Sequence, residues 1–163
     1  MLKFFLILLL SLNSLGTNKP NIVLILIDDL GLTDIGAFGS EIDTPNMDML
    51  AGEGLIFSNY HTSPECAPSR AMLLTGMDNH NIGIPMIPEV MPRNLRSTPG
   101  YEGYLIPEAL TLAELLRPHG YKTYMTGKWH LGFGGEETAA LPHNRGFAKT
   151  FILDATGGDN YSN

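Results

Sequence analysis

Cys66 is the only cysteine in a chain of 163 residues, and it stands in the run SPECAPSRAMLLTG with Pro68, Ser69 and Arg70 close behind it. One cysteine cannot close an internal disulfide, so it is either a small buried apolar residue or a chemical group. The apolar spacing that follows predicts a helix over residues 68–74, closed by Gly76. Unpaired N–H groups at a helix start favour anions, and Arg70 falls within the first turns, where its guanidinium can swing back over the same spot. That pattern reads as an anion site with a reactive group in its floor. The plainer alternative is an inert buried thiol beside a solvated arginine.

Two further pairs could do chemistry. Asp28 and Asp29 follow directly on the apolar run NIVLILI. Adjacent carboxylates there repel each other and resist desolvation unless a cation neutralises them, and a hard ion such as calcium or magnesium takes carboxylate oxygens. Alternatively, one aspartate caps the next turn and the other is solvated. Lys128 and His130 flank Trp129 in GKWHLG, which places a fixed cation beside a titratable imidazole. Alternate residues of an extended backbone point the same way. A surface lysine and a structurally satisfied histidine are the alternative there.

These pairs need elements to hold them. Residues 21–27 form a continuous β-branched run without alternation, the pattern of a strand buried on both faces of a parallel sheet. Thr44 and Pro45 read as the cap and first residue of a helix running through Leu50 and Ala51 and stopping at Gly52 or Gly54. LIFSNY, residues 55–60, is a second strand candidate. Residues 78–103, rich in proline and glycine, predict a long irregular excursion. Thr111 and Glu114 have capping-box spacing for a helix ending near Pro118 and Gly120. YKTYMT, residues 121–126, and FAKTFIL, residues 147–153, are the remaining strand candidates. Strands alternating with helices imply an α/β fold, a mostly parallel sheet sandwiched by helices, and ligands in such sheets bind outside the carboxyl ends of the strands. All three candidate groups fall at such strand ends or at a helix start.

The composition, 44% hydrophobic and 17% charged, is that of a globular domain. Residues 1–16 place Lys3 before an apolar run from Phe4 to Leu10, with Ser14 and Gly16 spaced like a cleavage site. We read them as a secretory signal peptide, because the run is well short of the roughly 20 apolar residues of a stable membrane span. A short membrane anchor is the alternative. The expected location is therefore secreted or periplasmic. A formal net charge of −7 argues against a nucleic-acid partner.

CAPSRAMLLTG resembles the first signature of the sulfatase family, in which a cysteine in a Cys-x-Pro-Ser-Arg context is oxidised to Cα-formylglycine (3-oxoalanine). GYKTYMTGKWHLG resembles the second signature. KPNIVLILIDDLG and TPNMDMLAGEGLIFSNYHTSPEC resemble the family's N-terminal segments, while HNIGIP, PGYEGYL and HNRGF lean towards bacterial arylsulfatases. The resemblance implies the alkaline-phosphatase-like sulfatase fold and hydrolysis of small-molecule sulfate esters. In that scheme Asp28, Asp29 and converted Cys66 bind a divalent cation, usually Ca2+, with Mg2+ as the other candidate. Arg70 holds the modified side chain and the anion, Lys128 contacts sulfate, and His130 hydrogen-bonds the second hydroxyl of the hydrated aldehyde.

Pro68 and Ser69 belong to the sequence read by a formylglycine-generating maturation enzyme, itself an implied partner. Phosphonate or phosphate monoester hydrolases of the same superfamily are the competing enzyme reading. Family members run several times longer, so residues 17–163 are expected to be the N-terminal portion of a catalytic domain, with the other metal ligands downstream. Alone, that portion is expected to be poorly stable and to turn over little, and an inactive truncated fragment is the non-catalytic alternative. GGDN, residues 157–160, is expected to be pocket rim or loop rather than a metal ligand.

Overall fold

A computed structural model of the chain describes residues 19–96, 98–132 and 139–153. The expected signal peptide at residues 1–16 and GGDN lie outside them. The chain divides into two units, Met1–Leu30 and Gly31–Asn163.

In the first unit, residues 19–30 contain neither helix nor strand. The strand expected over residues 21–27 is not formed, and Ile22 to Ile27 are 41% to 80% exposed. A strand exists through its ladder, and an apolar run without alternation needs both edges paired and both faces covered. No described strand pairs with this one.

In the second unit two 3-10 turns, Leu32–Asp34 and Gly36–Phe38, precede the first α-helix, α1, Pro45–Glu53. Thr44 precedes it as expected, but its hydroxyl reaches Asp48 Oδ1 at 2.9 Å and accepts from the Gly36 N–H at 2.8 Å, tying the helix start to the turn before it. Residues 55–60 do not form the expected strand, and Leu55 and Phe57 are exposed. The same lack of a pairing partner accounts for this second correction.

Helix α2 spans Cys66–Thr75, with Glu65 as its cap. It therefore begins two residues earlier than the apolar spacing suggests, and Cys66 is its first helical residue. Pro68 fits in that first turn because N–H groups there have no partner within the helix. At the other end Gly76 takes φ +69° and donates its N–H to Met72 O, closing the helix in the left-handed conformation that glycine adopts without strain. Helix α3, Leu112–Leu116, carries the expected capping box. Thr111 Oγ1 accepts from Glu114 N at 3.2 Å, and a Glu114 carboxylate oxygen accepts from Thr111 N at 2.8 Å.

Strands β1, Tyr124–Lys128, and β2, Lys149–Leu153, pair in parallel, with Tyr124 opposite Lys149 and Lys128 opposite Leu153. Parallel strands with helices around them bear out the α/β expectation. Both strands start later than their apolar patterns do, and β1 runs on to Lys128. Beyond it, Trp129 N still donates to Leu153 O at 2.8 Å.

The core forms where α2 meets the end of β1. Ala67 and Ala71, four apart on one helical face, are fully buried with Ile82, Ile84, Leu105, Ala109, Trp129 and Leu131. Small alanines let the helix approach closely. Four of those partners come from the region between α2 and α3, Ile82 and Ile84 within the excursion and Leu105 and Ala109 just after it, so the excursion is irregular in backbone yet packed into the core.

Arg145 fastens the far side. It is 2% exposed and donates to the carbonyls of Ile106, at 2.9 Å, and Ala109, while its guanidinium lies 3.4 Å from the Glu114 carboxylate. Its own carbonyl accepts from Thr111 Oγ1 at 2.8 Å. Gly146 follows with φ +91°, and a Cβ there would lie 2.4 Å from Glu114 N, so only glycine lets this turn rest on α3.

Candidate active site

Cys66 and Arg70 are one helical turn apart on α2, and Lys128 ends β1, with His130 two residues beyond. The structure brings these four together. Cys66 Sγ lies 3.4 Å from His130 Nδ1, across 64 residues of sequence. Arg70, 8% exposed, donates from Nη1 to the Lys128 carbonyl at 2.7 Å. The guanidinium thus sits at the end of β1, on the residue one helical turn after Cys66. Cys66 is half-buried, Lys128 is half-buried and His130 is fully buried.

The backbone explains how His130 reaches the cysteine. Extended alternation would send its ring to the same side as the Lys128 side chain. Instead His130 takes φ +59°, a left-handed conformation that costs a side-chain-bearing residue about 1–3 kcal/mol and persists only where its surroundings fix it. Contacts made by Trp129, Leu131 and His130 itself supply that constraint. Trp129, 0% exposed, donates its indole N–H to Ala140 O at 3.0 Å and meets the edge of Phe147 with ring centroids 6.0 Å apart. Leu131 O accepts from Leu105 N at 2.8 Å. On the ring's far side, His130 Nε2 lies 3.0 Å and 3.2 Å from the two carboxylate oxygens of Glu89.

Two carboxylates in this neighbourhood have no sequence signal. Glu65 immediately precedes Cys66 and accepts from the Ile87 N–H at 2.6 Å. Glu89 sits in the short 3-10 turn Pro88–Val90. Both contacts join α2 or the β1 end to the excursion. No periodicity or spacing in the sequence points to either one. Ser69, by contrast, is occupied locally, donating from Oγ to Ser63 O at 2.8 Å.

Asp28 and Asp29 belong to the first unit and are both exposed. Asp29 takes φ +54°, which bends the chain sharply between the apolar run and Gly31. Two adjacent carboxylates are hard oxygen donors, so in kind they fit Ca2+ or Mg2+. They are only part of the six to eight oxygens that calcium takes. Among the described residues, no cluster of three or more His, Cys, Asp or Glu side chains could hold a metal ion.

A helix-bound cysteine facing a buried imidazole, with an arginine clamped at the adjoining strand end, joins two sequence-distant signatures into one arrangement. The family model for sulfatases matches residues 20–163 of the chain. The chain belongs to the sulfatase family. Among its relatives, an uncharacterised sulfatase of Schizosaccharomyces pombe is 44% identical over 149 residues, covering 90% of this chain and 26% of the relative. An arylsulfatase of Klebsiella aerogenes is 41% identical over 147 residues, covering 88% and 30% respectively. Human arylsulfatase A is 46% identical over 130 residues, covering 78% and 24%.

The sulfatase chain thus spans about a quarter of the length of these curated relatives. Among solved structures, that of Ps i-CgsB superposes with a TM-score of 0.72 at 37% identity, over 86% of this chain and 29% of that one. A structure described with the metabolism of multiple glycosaminoglycans by Bacteroides thetaiotaomicron gives 0.69 at 35% identity, over 85% and 29%. The chain therefore shares the α/β sulfatase fold. Among the described residues, no helix is long and apolar enough to cross a membrane.

Proposed function

We propose that the protein to which this chain belongs hydrolyses sulfate esters of the arylsulfatase type, with residue 66 as the reacting centre after oxidation of its thiol to formylglycine. One observation carries the reading: Cys66 Sγ facing His130 Nδ1 at 3.4 Å. That contact gives the single cysteine an imidazole neighbour with which it can share a proton, on a helix that carries Arg70 one turn further on. An inert core thiol requires neither.

As a hydrated aldehyde, residue 66 supplies one hydroxyl that attacks sulfur and displaces the ester's alcohol, and a second whose deprotonation breaks the C–O bond to sulfate and restores the aldehyde. The chain's own residues do the rest. Arg70 and Lys128 offset negative charge on the sulfuryl group as it transfers, the electrostatic contribution that is usually largest in such reactions. His130 Nδ1 is placed to take a proton from the residue 66 side chain. Asp28 and Asp29 are the carboxylates that would bind a divalent cation, with Ca2+ favoured over Mg2+, which would add Lewis-acid polarisation of the ester. Conversion needs a formylglycine-generating enzyme, and Pro68 and Ser69 lie beside Cys66 where such an enzyme would read the chain. The leader-like residues 1–16 support export to a secreted or periplasmic location.

The test combines mass and turnover in the full-length protein. Conversion of the thiol lowers the mass of the peptide containing Cys66 by about 18 Da. Converted protein is expected to hydrolyse an aryl sulfate faster than an aryl phosphonate, and Cys66→Ser is expected to abolish turnover. Preference for the phosphonate would move the assignment to the related hydrolases. A fully active Cys66→Ser enzyme would remove it altogether.

A further inference from the structure

We infer that Glu89 is a positioning residue that fixes which nitrogen of His130 carries the hydrogen, and so turns a lone pair towards residue 66. The inference rests on the sulfatase reading for its consequence in turnover, but not for its geometry.

His130 is 0% exposed, so its two ring nitrogens can be satisfied only by the groups packed against them. Nε2 lies 3.0 Å from one oxygen of Glu89 and 3.2 Å from the other. A carboxylate offers acceptors only, so Nε2 must donate. In a neutral imidazole the other nitrogen is then an acceptor, and that nitrogen, Nδ1, is the one 3.4 Å from Cys66 Sγ. The residue 66 side chain must therefore donate to it, whether as a thiol or as a hydroxyl.

Glu89 is itself held. Its turn is closed by Met91 N donating to Pro88 O at 3.3 Å, and Arg96 Nη2 donates to the same carbonyl at 2.9 Å. Just before the turn, Ile87 N donates to Glu65, the residue preceding Cys66. The excursion is thus anchored at both ends of the Cys66–His130 contact: Glu65 beside the sulfur and Glu89 behind the ring. A carboxylate that served only to pin the excursion would not need both oxygens within reach of one buried ring nitrogen.

The experiment uses the full-length protein labelled with 15N-histidine. His130 is assigned by the signal lost in His130→Asn, and its tautomer is read from the ring 15N shifts alongside kcat and KM for an aryl sulfate. Wild type is expected to carry the hydrogen on Nε2. Glu89→Ala is expected to lose that preference and to drop kcat by about tenfold to a hundredfold with KM changed less than about twofold, since orienting partners of this kind contribute on that scale. Glu89→Gln keeps a carbonyl acceptor and is expected to recover much of both. A wild-type ring with its hydrogen on Nδ1 alone would overturn the inference even if Glu89→Ala failed to fold. So would a folded Glu89→Ala protein with tautomer and kcat unchanged. A protein inert towards aryl sulfates, yet losing the Nε2–H tautomer in Glu89→Ala, would sink the sulfatase reading and leave the positioning role standing.

Discussion

Replacing Trp129 by phenylalanine probes how Lys128 and His130 are held, because the indole lies between them and is the largest fully buried side chain. Three losses follow from its surroundings. The indole N–H to Ala140 O bond of 3.0 Å disappears, and since Ala140 is 1% exposed its carbonyl is left dry, at a cost of about 1–3 kcal/mol. A benzyl group buries roughly 40 Å2 less apolar surface than an indole, worth about 1 kcal/mol. The vacated volume adds about 1 kcal/mol if the site does not collapse. Together they predict a destabilisation of about 3–5 kcal/mol, a large share of the roughly 5–15 kcal/mol that keeps a domain folded. The ring contact with Phe147 survives in part, which keeps the value below that of truncation to alanine. Urea unfolding of the full-length protein, followed by far-UV circular dichroism, reads the change directly. In folded Trp129→Phe protein, kcat should fall as well, because the left-handed turn at His130 loses one of its constraints. A loss of stability below about 1 kcal/mol with unchanged kcat would show that the indole is neither dry nor bonded, and the account of how the histidine is aimed would fail.

Three other perturbations check separate parts of the structure. Gly146→Ala places a methyl group 2.4 Å from Glu114 N at φ +91°, so the Arg145 turn must lift from α3; a destabilisation of at least about 2 kcal/mol is expected in the same unfolding assay, and a variant as stable as wild type would contradict the close approach. Thr111→Val keeps the side-chain shape but deletes both the cap to Glu114 N and the bond to Arg145 O, for about 2 kcal/mol; Thr111→Ser should recover most of it, and equal stabilities for all three would refute the double role. Chelation of divalent cations from the active full-length protein is expected to suppress aryl sulfate turnover, and added Ca2+ to restore it. Turnover indifferent to chelator would count against Asp28 and Asp29 as metal ligands.

The helices were legible because their signals are local. Thr44 with Pro45, Thr111 with Glu114, and Gly76 after an apolar run each mark a helix end through groups within four residues, and each helix end is where those signals put it. Strands are a different problem. Residues 121–126 and 147–153 form a ladder shifted along the sequence, while residues 21–27, with a stronger apolar pattern, form none among the described residues. Apolar β-branched composition shows that a segment suits a pleated, covered surface; it does not supply the neighbouring strand that makes it one. Because the register is set by the partner, boundaries also differ, which is why Gly127 and Lys128 belong to β1 although the apolar pattern ends at Thr126.

The site divides along the same line. Cys66, Arg70, Lys128 and His130 were found through their types and their places beside predicted elements, and three-dimensional contact joins them. Glu89 was out of reach: it lies 41 residues from His130 in an irregular segment whose only sequence mark is proline and glycine. The orientation of His130 was out of reach for a related reason. Alternation assumes extended backbone, and φ +59° breaks it at the residue where direction matters most. Tertiary constraint selected that conformation against local preference, through the buried Trp129 on one side and the Glu89 carboxylate on the other. A sequence therefore discloses which side chains can react sooner than it discloses how they are aimed, since aiming depends on carboxylates, carbonyls and aromatic rings supplied by segments with no pattern of their own.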